Sequence, residues 1–330
     1  MITWEIFGED LLWLEIYTAA ALLGVSAVWV LFNRIPAALI ALILMEGLLA
    51  IGAFRGYNYN SDTGNYYSYV YYLSFVNDNE IFFLTKLEPL HSGLIFLLRD
   101  FRLWLFAEVS IMMAGLFLAF RARRNDYSFL ILCAFVLTLS TSSLRFCSAL
   151  IYFFYFTSRS DVDLFKAARM TAILSCFHIS MLLSGALALR RRLVLIGLSA
   201  VCIVIFLESS LLGSRVELDL TEASRGFKTL AVAAVSAVYL LIRSPRYGVR
   251  IVPFYLLAFI AIFVVSTQIL PVFNRFLIMG TLVVLSTEWA VARPDDEGDI
   301  FDRGFALTLA AAIIVPHVIN LPRLFYSGVW

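Results

Sequence analysis

Long apolar runs separated by short polar stretches set the rhythm of this chain. Windows of about 20 residues with one charge or none recur along it, the length a helix needs to cross a hydrocarbon core of ~30 Å. They predict spans near 11–32, 36–54, 102–120, 128–142, 144–158, 170–189, 193–208, 226–242, 250–268, 272–291 and 304–322. Helices are the economical way to satisfy backbone groups in lipid. The expectation is therefore an all-α polytopic integral membrane protein of about 10–11 transmembrane helices. One transmembrane domain covers residues 1–330, with an outer loop at about 55–101. The first apolar run has no small-residue cleavage site and reads as a retained span.

Composition agrees with the pattern. Of 330 residues, 62% are hydrophobic and 15% charged, where a soluble domain carries roughly 25% charged residues. A net charge of +1 gives no reason to invoke nucleic acid. Cys133, Cys147, Cys176 and Cys202 all lie in apolar runs at no metal-ligand spacing, so they read as small hydrophobes.

Basic residues orient the spans. Arg34, Arg121 to Arg124, Arg190 to Arg192, Arg243 with Arg246 and Arg250, and Arg293 with Arg303 mark the inner side. The acidic N-terminus, the Tyr57–Leu98 stretch, Glu208 to Ser224 and the Pro271–Arg275 turn then fall outside. Three spans lie between the basic groups at 121–124 and 190–192, and an odd number cannot return the chain to the same side. One segment is therefore expected to be re-entrant or broken, which protein-buried backbone permits. The short polar stretch from Ser140 to Arg145 is the expected place.

Ionisable side chains at membrane depth are costly and so mark candidate sites: Glu15, Glu46, Glu108, Arg145, His178, Arg275, Glu288 and His317. Arg145 and Arg275 fall near the outward ends of their spans, where two guanidiniums facing one cavity would clamp a phosphate or pyrophosphate. The bland alternative is that each snorkels or pairs with Glu46 or Glu108. His178 lies in an apolar helix, where it is either a hydrogen-bonded core residue or a base. His91 and His317 read as interfacial.

The longest polar interruption, Tyr57 to Leu98, holds seven tyrosines between Tyr57 and Tyr72. Such rings gather at membrane–water boundaries. Mixed with Asn58, Asn60, Asp62 and Asn65, they also suit the C–H faces and hydroxyls of sugars. On a helix Asp62, Tyr66 and Tyr69 share one face. Glu88-Pro89 opens a second helix, Pro89 to Leu98, too short to span and expected to lie amphipathically at the outer surface.

Asp62-Thr63-Gly64-Asn65-Tyr66 followed by Glu88-Pro89, Leu94 and Leu98 resembles the Asp-x-x-x-Tyr … Glu-Pro-x-x-x-x-Leu signature of the EpsG-like branch of Wzy-type bacterial polysaccharide polymerases. The resemblance continues through Ser143-Leu144-Arg145, Phe177-His178-Ile179-Ser180 and Phe273-Asn274-Arg275-Phe276, over roughly residues 55–280 in the family's order. Departures are Leu90-His91 in place of Gly-Phe, Arg145-Phe146 in place of Arg-Gln, and Val70 where a second tyrosine is usual.

What the resemblance implies is a metal-independent glycosyltransferase without cofactors. It would join undecaprenyl-pyrophosphate-linked oligosaccharide repeat units at the periplasmic face of the bacterial inner membrane. Membrane lipid surrounds it, and a chain-length regulator and a flippase are the implied partners. Arg145 and Arg275 would bind pyrophosphate. Glu88 and His178 are level as candidate base, with Asp62 more suited to holding a sugar hydroxyl, and Asn65, Tyr66, Tyr67 and Tyr69 would bind sugar. An O-antigen ligase-like transferase, a lipid-linked oligosaccharide transporter and a membrane scaffold are the alternatives. The absence of an internal repeat and of a large outer loop weighs against transport and ligation respectively.

Overall fold

The computed structural model describes residues 8–32, 37–56, 61–73, 89–140, 143–159, 161–211, 220–268, 274–292 and 299–326. Every regular element among them is helical, and the chain is an all-α polytopic membrane protein. Six described helices are long and apolar enough to cross a membrane: Asp10–Phe32, Phe101–Ala122, Gly226–Arg243, Pro245–Ser266, Asn274–Ala292 and Ile300–Leu321. Ala37–Gly52 and Asp126–Ser140 are apolar but shorter than a straight crossing needs.

Contacts divide the chain into two compact units, Met1–Tyr155 with Ser175–Ile179 and Gly298–Trp330, and Phe156–Leu174 with Ser180–Glu297. The first contains α1 (Gly8–Phe32), α2 (Ala37–Gly52), α3 (Ser61–Leu73), α4 (Pro89–Leu98), α5 (Phe101–Ala122), α6 (Asp126–Ser140), most of α7 (Leu144–Arg159) and α15 (Ile300–Tyr326). Helix α6 is apolar on every side, and every residue from Tyr127 to Leu137 is buried. A helix without a polar face belongs inside a bundle, and α1, α2 and α15 pack around it. In lipid such packing draws on close van der Waals contact and interhelical hydrogen bonds rather than on water expulsion. Gly115 illustrates the first: a Cβ there would lie 2.9 Å from Ile151 Cγ2, so α7 side chains seat directly on the α5 backbone. Arg303 illustrates the second, donating from Nη1 to the Trp29 carbonyl at 3.0 Å.

The second unit contains α8 (Leu164–Phe177, to Leu174), α9 (Ser184–Ala188), α10 (Arg192–Leu211), α11 (Leu220–Arg243), α12 (Pro245–Gln268), α13 (Asn274–Val283) and α14 (Trp289–Ala292). Its buried helix is α13, which runs through a π-helical turn, Val284–Glu288, with every residue from Phe276 to Trp289 buried.

The expected loop at 55–101 contains two helices, α3 and α4. Helices α6 and α7 end and begin on either side of the polar stretch at 141–142, which lies outside the described residues. The expected continuous span 170–189 is not one helix. It stops at Phe177, passes His178, and resumes as a 3₁₀ turn, Ile179–Leu183, before α9. Gly185 donates its backbone N–H to Thr171 Oγ1 at 2.9 Å, whereas a continuous helix would hold these residues about 21 Å apart. The chain folds back here, and a Cβ on Gly185 would collide with Thr171 Oγ1 and the Ala167 carbonyl.

Candidate functional site

The motifs picked out in the sequence bring chemistry to the first unit. Helix α3 carries Asp62, Asn65, Tyr66, Tyr67 and Tyr69, and it packs on α4 and α5. Tyr66 is 1% exposed. Its ring centroid lies 4.6 Å from that of Trp104, and its hydroxyl accepts a 2.6 Å hydrogen bond from Arg145 Nε. The Arg145 guanidinium carbon stands 5.3 Å from the same ring's centroid. Residues 79 apart in sequence are thus joined by a charge-assisted hydrogen bond and a cation–π contact. Val70, four residues on from Tyr66, is buried as well, as one face of a helix requires.

The three tyrosines assigned to sugar binding divide between two environments. Tyr66 turns its ring inward against Trp104 and holds Arg145 through its hydroxyl. Tyr67 is 38% exposed, stacked on Tyr71 at 6.4 Å and edge-on to Phe101 at 5.4 Å. Tyr69 is half-buried. The side chains of Asp62 and Asn65, and all of Glu88, lie outside the described residues.

Arg145 stands in the first turn of α7, and the next residue, Phe146, is fully buried edge-on to His178 with ring centroids 5.7 Å apart. His178 sits between the end of α8 and the 3₁₀ turn and is 4% exposed. Arg145, Tyr66 and His178 therefore belong to one unit and converge on the first turn of α7. Arg275 belongs to the second unit, half-buried in the first turn of α13. Beside it, Asn274 packs against Gly226, where a Cβ would lie 2.9 Å from Asn274 Oδ1.

Two features of the first unit were not anticipated. His91 is fully buried and paired through Nδ1 with Glu108 Oε1, while its Nε2 lies 2.8 Å from the Phe177 carbonyl oxygen. Local structure explains the pairing. Arg99 takes a left-handed conformation (φ 49°) after α4, and Asp100 caps α5 at once, its carboxylate accepting from Leu103 N at 2.9 Å. His91 is seven residues before Leu98 and Glu108 seven after Phe101, so each stands about 10 Å from the turn. That symmetry is visible in the sequence once the turn is located. The second feature is Arg55, 3% exposed, whose Nη1 donates to the Ser140 carbonyl at 3.1 Å at the end of α6. Its own carbonyl accepts from Arg102 Nη1 at 2.7 Å.

In the second unit Glu288, 1% exposed at the close of the π-helical turn, accepts hydrogen bonds from Tyr247 on Oε2 and from Tyr255 on Oε1, the latter at 3.2 Å. Arg190 Nε lies 3.5 Å from Oε1, and Arg190 Nη2 reaches Asp161 at 3.1 Å. Arg190 is left-handed (φ 52°) at the turn into α10. Among the described residues no group of three His, Cys, Asp or Glu is arranged to hold a metal.

No family model, curated protein or solved structure matches the chain.

Proposed function

We propose that this protein is a membrane glycosyltransferase of the polysaccharide-polymerase type, joining oligosaccharide repeat units carried on undecaprenyl pyrophosphate. The observation that carries the reading is the Arg145–Tyr66 pair. It couples the Asp-x-x-x-Tyr helix to the Ser-Leu-Arg helix, and His178 packs on the residue next to Arg145.

The chemistry follows from these residue types. A hydroxyl of the acceptor sugar attacks the anomeric carbon of the donor. The bond from that carbon to the pyrophosphate oxygen breaks, and the pyrophosphate leaves with the electron pair. A guanidinium stabilises the developing charge on the leaving group, and Tyr66 fixes the plane of Arg145 by holding Nε. Arg275 is the second candidate for that charge. The attacking hydroxyl gives its proton to a base, for which His178, Glu88 and Asp62 remain the candidates. The exposed pair Tyr67 and Tyr71 supplies aromatic surface for a sugar ring. In this reading the protein works in a bacterial inner membrane with its active face periplasmic, alongside a flippase and a chain-length regulator.

The test has two arms. In cells carrying Arg145→Ala or His178→Ala at normal expression, polymer is expected to shorten or vanish, and full-length polymer in both would remove these residues from the reaction. Purified protein given a lipid-pyrophosphate oligosaccharide is expected to build ladders. Transfer to a lipid A core would make it a ligase instead, and no transfer would favour transport or scaffolding.

A further inference from the structure

Phe177 ends α8, so its carbonyl is among the four that a helix leaves without an internal donor. His91 reaches it from α4, with Nε2 at 2.8 Å. A carbonyl only accepts, so Nε2 carries a proton. Nδ1 faces Glu108 Oε1, and that contact needs one further proton, held either by the ring or by the carboxyl. In both forms the couple is neutral, which is why two ionisable groups at 0% exposure are tolerated together.

The couple is a poor choice for stability alone. Among the described residues Glu108 Oε2 is buried with no hydrogen-bond partner, a cost that an apolar pair of similar volume avoids. What it does supply is direction. The Phe177 carbonyl belongs to the peptide that leads into His178, and His178 must leave the helix at that point to set its ring against Phe146.

We infer that His91 is a positioning residue for His178: it pins the Phe177 carbonyl at the helix break, while Glu108 holds the His91 ring in the tautomer that donates from Nε2. The inference rests on His178 taking part in the glycosyl transfer proposed above.

The chain has three histidines, His91, His178 and His317, so imidazole ¹⁵N signals of the full-length protein in nanodiscs can be assigned by single substitution. Glu108→Gln is the rescuing variant, because its amide N–H donates to Nδ1 and leaves Nε2–H on the carbonyl. It is expected to leave the His178 signal in place and kcat within about twofold of wild type. His91→Phe and Glu108→Leu are expected to move the His178 signal. They should lower kcat on the order of tenfold to a hundredfold, the cost of misplacing a reacting group by up to about 1 Å, with little change in KM. If His91→Phe does not fold, His91→Met against His91→Gln, whose amide can donate to the same carbonyl, provides the contrast. An unmoved His178 signal in His91→Phe overturns the inference, as does Glu108→Gln being as damaging as Glu108→Leu. If wild-type protein forms no polymer, the functional reading fails while the ¹⁵N signals still decide the positioning role.

Discussion

Glu108 and Glu288 belong to different units, and each is a carboxylate at or below 1% exposure on a helix packed with apolar side chains. Their surroundings differ. Glu288 has Tyr247 on one oxygen, Tyr255 on the other and the Arg190 guanidinium alongside. Among the described residues, Glu108 meets His91 through one oxygen and leaves the other buried without a hydrogen-bond partner. A carboxylate with both oxygens served and a cation beside it serves to hold elements together. One with an oxygen left bare sacrifices stability, and such sacrifices concentrate where a side chain serves another purpose. The difference sets the structural staple apart from the support inferred for His178.

Removing the staple is expected to have the largest effect. Glu288→Ala leaves Arg190 without its buried partner and opens a cavity beneath two phenols. Breaking a buried pair from one side costs ~3–5 kcal/mol, and because Arg190 also reaches the exposed Asp161, the lower end, about 3 kcal/mol, is expected. Resistance of the detergent-solubilised protein to thermal unfolding, followed by limited proteolysis, measures it. A loss under about 1 kcal/mol, the size of a single hydrogen bond, would show that Glu288 is no staple.

That staple was only half legible in the sequence. Glu288 stands out as an acid in an apolar run, but its partners lie 41 and 33 residues away on α12, and a 3.5 Å ion pair to the basic group at Arg190 cannot be read from spacing. The helical class was legible because charge-free windows of helical length leave few other solutions in lipid. The break at His178 was not. Residues 170–189 contain no proline and a single glycine, Gly185, and that glycine matters through a tertiary contact, its close approach to Ala167 and Thr171. The aromatic density of α3 was legible, but the division of labour within it depends on burial. Tyr66 turns inward to Trp104 and Arg145, while Tyr67 meets α5 only edge-on at Phe101 and stays partly exposed.

A smaller stability change is expected on the other side of the comparison. Glu108→Leu removes the bare oxygen but no longer sets the His91 tautomer, so the neutral ring loosens its hold on the Phe177 carbonyl. Its Nδ1 then lacks a donor, a loss of about 1 kcal/mol that the relieved Oε2 partly offsets. The same unfolding measurement should place Glu108→Leu at least 2 kcal/mol or so above Glu288→Ala, the gap between a neutral buried group and an abandoned cation. Equal losses in the two variants would break the comparison.

The finest test takes the two phenol donors from Glu288 one at a time. Tyr247→Phe removes one donor to Glu288 Oε2. The cost is that of one hydrogen bond to a charged acceptor, about 1–2 kcal/mol, since the ring volume is retained. Tyr255→Phe removes a longer bond, 3.2 Å, to Oε1, which still faces Arg190. It is expected to cost less, about 0.5–1 kcal/mol. The order follows from the longer bond to Oε1 and the Arg190 guanidinium beside that oxygen, so a Tyr255→Phe variant less stable than Tyr247→Phe would overturn it.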